Sequence, residues 1–100
     1  MLRIRTHRLE LETAPERCSE FQTKTKYLEI RNVGAGSVVM ASLLEELENG
    51  HVLMKGEKFV LDMDNNRPEY INLHDVLVQA IHGKGLVQVT YIEEVEDGPA

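Results

Sequence analysis

Residues 76–92 read Val-Leu-Val-Gln-Ala-Ile-His-Gly-Lys-Gly-Leu-Val-Gln-Val-Thr-Tyr-Ile, and this stretch decides the fold class. Its first part, residues 76–81, is almost continuously apolar, which is typical of a central strand covered on both faces. Its last part, residues 86–92, alternates between apolar and polar side chains and predicts a second strand. The glycine-containing segment between them, residues 82–85, predicts a hairpin loop.

The preceding sequence continues this pattern of short strands and turns. Residues 27–33 alternate between apolar and polar side chains, which predicts a strand. Residues 34–37 predict a glycine-rich turn, and residues 38–41 predict a short apolar strand. Together these segments predict another hairpin. Residues 59–63 alternate in the same way. Turn signals every 8–12 residues, roughly, are typical of an all-β sandwich or barrel. We therefore predict a small antiparallel β-sandwich or jelly-roll-like barrel with an extended N-terminal arm or strand.

Two segments leave their structure open. Residues 2–12 alternate with period two, but the phase shifts between Thr6 and Arg8, which fits a strand with a bulge or kink, or an extended arm. Residues 42–48 fit either a short helical turn capped by Ser42 or a strand edge. The predicted organisation is an arm and polar loop (1–26), a sandwich core (27–94) and a disordered acidic tail (95–100).

Composition excludes several classes of function. The chain has 100 residues and a net charge of −6, which argues against nucleic acid or an anionic membrane as the main partner. No apolar run approaches the roughly 20 residues that cross a bilayer. A single Cys rules out an internal disulfide and a multi-cysteine metal cage.

No constellation of residues predicts catalysis, a cofactor or a metal. The four histidines, including His51 and His74, lack metal-ligand spacing, and Cys18 has no recognisable His or Asn partner in the sequence. Residues 62–66 resemble the start of a calcium loop, but Arg67 stands where that loop needs glycine. We therefore predict a protein that is not an enzyme.

Charge is distributed unevenly along the chain. The predicted partner-contact residues are three arginines near the beginning and two glutamates near the end: Arg3, Arg5, Arg8, Glu93 and Glu94. Opposite charges at the two ends of a sequence suit contact between copies or with a charged partner. The alternative is a solvated edge strand whose charges prevent aggregation.

Four segments resemble a small β-sandwich found among virion proteins of tailed bacteriophages. They are the turn at residues 32–38, the Asn-Gly turn with the following turn at 48–57, the strand start at 59–61, and the last two strands at 75–89. Lys55 departs from the family pattern, which prefers proline there, and the Leu/Glu run at 41–47 replaces an expected glycine-rich stretch.

The resemblance implies a structural protein of the virion. It implies most directly a capsid decoration (cement) protein whose partners are the major capsid protein or other virion proteins and further copies of itself, with a trimer as the expected oligomer. It also implies location in the virion after synthesis in the host cytoplasm. The alternatives are a neck, tail or baseplate component or fibre-attachment module, and a small sugar-binding or cupin-like barrel.

Overall fold

The computed structural model describes residues 2–42, 44–63 and 69–94. Antiparallel strands form two four-stranded sheets and one two-stranded sheet. In chain order the strands are β1 (Leu2–Leu11), β2 (Glu16–Arg17), β3 (Lys24–Thr25), β4 (Tyr27–Asn32), β5 (Val38–Ala41), β6 (His51–Leu53), β7 (Lys58–Asp62), β8 (Ile71–Asn72), β9 (Leu77–Ala80) and β10 (Gly85–Glu94). Two 3₁₀ helices complete the fold, η1 (Leu44–Asn49) and η2 (Leu73–Asp75).

Two sheets face each other across one apolar core. Sheet 1 has the strand order β1-β10-β4-β7, and sheet 2 has the order β2-β9-β5-β6. Leu28 and Ile30 of sheet 1 share a buried cluster with Val38 and Val78 of sheet 2. All four side chains are fully buried, because the alternation along each strand directs one side-chain row inward. The predicted all-β antiparallel sandwich is confirmed.

Both predicted hairpins are wrong. Strands β4 and β10 lie in sheet 1, whereas β5 and β9 lie in sheet 2. Each glycine-rich loop therefore carries the chain from one sheet to the other. The two crossing loops bind each other, since the Gly34 amide donates to the Leu86 carbonyl at 3.1 Å and the Ile81 amide donates to the Ser37 carbonyl at 3.1 Å.

Asn32 fastens one of these crossings. Its side chain is fully buried, and its Nδ2 donates to the carbonyls of Gly36 at 2.7 Å and Leu53 at 3.0 Å. Its Oδ1 accepts from the Gly34 amide at 3.0 Å. One side chain thus links the end of β4 to the crossing loop and to β6 in the opposite sheet.

The two segments for which the sequence left alternatives, residues 2–12 and 42–48, both form regular elements. β1 pairs with β10 in one unbroken register from Leu2 opposite Glu94 to Leu11 opposite Gly85, so β1 contains no bulge. The phase shift arises because Leu9 and Leu11 face the core, whereas Leu2 and Ile4 face outward. The run at 42–48 forms the helical alternative, as η1, although residue 43 lies outside the described residues.

The predicted arm contributes a full strand to the sandwich. β1 is an edge strand of sheet 1, and the polar loop after it supplies the short strands β2 and β3. The predicted tail, residues 95–100, lies outside the described residues. No helix within the described ranges is long and apolar enough to span a membrane.

Candidate interaction surface

The outward side chains of sheet 1 form the surface that we call the outer face. They are fixed by strand register, since cross-strand partners in an antiparallel sheet point to the same side. The outer face consists of Leu2, Ile4, Thr6, Arg8 and Glu10 on β1, Leu86, Gln88, Thr90 and Ile92 on β10, Tyr27, Glu29 and Arg31 on β4, and Lys58, Val60 and Asp62 on β7.

One end of the outer face is apolar and exposed. Leu2 is 69% exposed and Ile4 is 73% exposed, although both belong to a regular strand. Ile4 lies opposite Ile92 in the register, which extends the apolar end onto β10. β1 pairs only with β10, so its other edge is free of main-chain partners within the described sheets. Exposed apolar side chains beside a free strand edge are typical of an association surface.

A row of cations crosses the same face about four residues further along β1. Arg8 lies opposite Gln88, Gln88 opposite Arg31, and Arg31 opposite Lys58. We call Arg8, Arg31 and Lys58 the cationic row, in which the neutral Gln88 lies between Arg8 and Arg31. Adjacent strands are about 4.8 Å apart, so the row spans roughly 14 Å across the four strands. Its middle cation is paired, because Arg31 Nε lies 3.5 Å from a carboxylate oxygen of Glu29.

The cationic row contains one predicted contact residue, Arg8, and two that the sequence did not reveal. Arg31 and Lys58 come from strands far apart in the chain and join Arg8 only through the register. An isolated cation on an alternating strand is ordinary, so no local signal distinguished them. The strand order would have been needed to find the row.

The other predicted contact residues meet each other within the chain. Arg3 lies opposite Glu93 in the register, and Arg5 Nε donates to Glu93 Oε2 at 2.7 Å. This hydrogen bond, together with the charge of Glu93, raises the pKa of Arg5. Glu94 is the register partner of Leu2. The basic and acidic ends of the sequence therefore lie side by side, and a contact of these residues with a partner stays a prediction.

The cysteine and two of the histidines, residue types that are often catalytic in other proteins, make structural contacts in this chain. Cys18 is fully buried, and this burial raises its thiol pKa to about 12, which keeps the thiol protonated and unreactive. A ring nitrogen of His7 lies 2.9 Å from the Cys18 carbonyl, and one of His74 lies 3.2 Å from the Ser19 carbonyl. No group of three His, Cys, Asp or Glu residues in the described part of the chain could hold a metal. Residues 64–66 of the calcium-like segment 62–66 lie outside that part.

Several concave regions lie among the described residues, and two of them open at sheet 2. A cleft of about 560 Å³ opens between the sheets, where the ring of His51 lies 5.1 Å from that of Phe59. A groove of about 400 Å³ runs over the outward side of sheet 2 beside η1. Its lining residues, which define what we call the sheet 2 groove, are Val39, Leu47, Val52, Gln79, Ala80 and Ile81.

Comparison with known proteins gives one structural likeness. No family model matches the chain, and no curated protein matches it. The crystal structure of PirA matches with a TM-score of 0.47 and 15% sequence identity, over 86% of this chain and 92% of that chain. At this identity the likeness concerns the fold alone.

The predicted resemblance to phage virion proteins is wrong, because the matching structure is PirA and not a virion protein. The functions that it implied, capsid decoration or a neck or tail component, are wrong with it. The segments that suggested it are turns and β-branched strands, which any small sandwich needs. The virion location, the capsid partner and the trimer stay predictions that no observation tests.

Proposed function

We propose that this chain is a non-enzymatic interaction module that associates with further copies of itself through the outer face. The observation that carries the proposal is the exposure of Leu2 and Ile4, 69% and 73%, on an edge strand that is paired on one side only. Soluble proteins normally place such side chains inward, as this chain does with Leu9 and Leu11 of the same strand. Association would remove the exposed pair from water.

A second copy is the partner that best fits the charges. The outer face carries the cationic row beside three carboxylates, Glu10, Glu29 and Asp62, and the chain as a whole has 17 acidic residues against 11 basic ones. Many of the acidic side chains lie away from the outer face and are exposed, such as Glu12, Glu16, Glu46 and Asp75. Another copy therefore offers the acidic surface that the cationic row attracts.

The non-catalytic part of the proposal is supported by the state of the reactive groups. The single thiol is buried and protonated, and two of the histidines hold loop carbonyls. A catalytic nucleophile needs a base within hydrogen-bond reach, and Cys18 offers neither access nor a thiolate.

The competing account is a monomer whose arginines protect an exposed edge strand from aggregation. Light scattering coupled to gel filtration separates the two with Ile4→Asp as the test variant. Fully burying an Ile is worth about 1.5–3 kcal/mol, so losing one such contact per interface weakens association roughly tenfold or more. We expect the wild-type chain to exceed the monomer mass and Ile4→Asp to return to it.

Phe21→Asp is the matched control, because Phe21 is 75% exposed but lies in the loop before β3, away from the outer face. This variant should keep the wild-type mass. A monomeric wild-type chain, or an Ile4→Asp variant that associates as strongly as wild type, would refute the proposal.

A further inference from the structure

β1 differs from the other edge strands of the sandwich. Among the described strands, the edges of the two four-stranded sheets are β1 and β7 in sheet 1 and β2 and β6 in sheet 2. β7, β2 and β6 have five, two and three residues, whereas β1 has ten. Proteins usually protect a free edge by keeping it short or by interrupting it with a bulge or a proline. β1 has neither interruption, so it presents a long regular edge.

The main-chain groups along that edge determine the kind of partner. A strand in a sheet pairs through N–H and C=O groups on both of its sides, and β10 pairs with one side of β1. Only another extended segment can continue the ladder on the other side. The partner that fits this edge is therefore a strand.

We infer that β1 pairs antiparallel with β1 of a second copy, around a two-fold axis at Thr6, so that sheet 1 continues across both copies. This inference rests on the proposed self-association and names the contact within it. A two-fold axis places the same edge on both sides of the interface, so the contact is closed and a dimer is the expected assembly.

The arginines of β1 restrict the position of the axis. An axis at Arg3, Arg5 or Arg8 opposes that arginine to its own copy, and an axis at Ile4 opposes Arg3 to Arg5. Like charges directly opposite each other destabilise a sheet. An axis at Thr6 opposes no two arginines, since each of its pairs joins one residue of each copy as Leu2–Glu10, Arg3–Leu9, Ile4–Arg8, Arg5–His7 and Thr6–Thr6.

The exposed apolar side chains favour Thr6 over the other positions that separate the arginines. An axis at His7 pairs residues 3–11 and leaves Leu2 beyond the ladder, and an axis at Leu9 pairs only residues 7–11. Both apolar residues lie within the ladder when the axis is at Thr6.

The axis at Thr6 also gives these side chains suitable neighbours. Ile4 lies opposite Arg8 of the other copy, whose aliphatic stem can cover the apolar side chain while the guanidinium stays in water. Leu2 lies opposite Glu10, whose methylene groups can cover it in the same way. The contact therefore shields the two side chains whose exposure carries the proposed function.

Cysteine cross-linking reports the register. Thr6→Cys places a thiol on the axis, where paired Cβ atoms are about 5 Å apart and within reach of a short bismaleimide. Glu10→Cys is the matched control on the same face of β1, because its two copies are roughly 27 Å apart along the paired strands. Both positions are exposed and Cys18 is buried, so each variant has one reactive thiol. We expect most of the Thr6→Cys chain to become cross-linked dimer and Glu10→Cys to remain a single chain.

Hydrogen exchange of the unmodified chain gives a second measurement without a substitution. Strand pairing protects the amides on the free edge of β1 as the concentration increases, whereas a contact through side chains alone leaves them exchanging. β7 is the internal control, since its edge stays free in the proposed dimer. We expect exchange to slow in β1 and to stay unchanged in β7.

The remaining outcomes separate this inference from the proposed function. A wild-type chain that stays monomeric contradicts the self-association itself. An associating chain in which Thr6→Cys is not cross-linked, or Glu10→Cys is cross-linked equally well, overturns the strand pairing and leaves self-association through the outer face in place. Unchanged exchange in β1 of an associating chain overturns the pairing in the same way.

Discussion

Asn32→Ala tests whether the crossing between the two sheets depends on one buried amide. The substitution removes both Nδ2 donations, to Gly36 and Leu53, and the acceptor used by the Gly34 amide. Nothing replaces the two donors, because the side chain is fully buried and water does not reach it.

The expected loss follows from these three bonds. A buried hydrogen bond contributes about 1 kcal/mol net, and a partner left without its bond adds a desolvation penalty. The Gly34 amide loses least, since it also donates to the Leu86 carbonyl at 3.1 Å. The free energy of unfolding should fall by about 3 kcal/mol, and Tm by roughly 15 °C, which is large beside the total of about 5–15 kcal/mol.

Urea unfolding followed by circular dichroism measures this loss. The comparison belongs in the Ile4→Asp background, where association adds nothing to the apparent stability. Asn49→Ala is the control, because Asn49 is exposed and its side chain makes no hydrogen bond within the described residues. A loss below about 1 kcal/mol for Asn32→Ala would refute the view that this amide holds the crossing together.

One chemical treatment and three further variants have expected outcomes. The Cys18 thiol, whose pKa burial raises to about 12, should resist a disulfide reagent at neutral pH and react only after urea unfolds the chain; rapid native reaction would contradict its burial. Gly56→Ala should cost about 1–2 kcal/mol in urea unfolding, because this residue has φ of 82° in open space. Gly50→Ala should cost more, since its new methyl group collides with the Met40 carbonyl; equal losses would contradict that packing. Arg5→Gln should leave Tm unchanged in high salt, because its ion pair is exposed and screened; a clear drop there would show that the pair contributes more.

The strands were predictable because alternation reports which side of a strand is covered. Leu28 and Ile30, and later Val87 and Val89, face the core as their period-two pattern predicts. The near-continuous apolar segment at 76–81 contains β9, which has neighbours on both sides in sheet 2 and buries both Leu77 and Val78.

The connections were not predictable from the turns. A glycine-rich loop shows that the chain reverses, but it does not show whether the next strand pairs with the last one or crosses to the other sheet. Here the crossings are set by contacts between distant segments, such as Asn32 with Leu53 and Gly34 with Leu86. These contacts join residues that are far apart in the sequence, so the local pattern around each loop does not predict them.

The candidate surface was visible in part. The phase shift in residues 2–12 marks the point where apolar side chains change from the outer face to the core, although it reads locally as a bulge. The cationic row was hidden because it depends on the register of four strands. The opposite charges predicted near the two ends of the sequence meet within the chain, since Arg5 and Glu93 bind each other; their contact with a partner stays a prediction.

Sedimentation velocity of the unmodified chain over a series of concentrations tests the central claim most directly. The proposed self-association predicts a mass above the 11.4 kDa of the single chain, which increases with concentration and decreases as salt screens the cationic row. A mass of 11.4 kDa at every concentration would contradict it and would leave the exposed edge of β1 as the protected margin of a monomer.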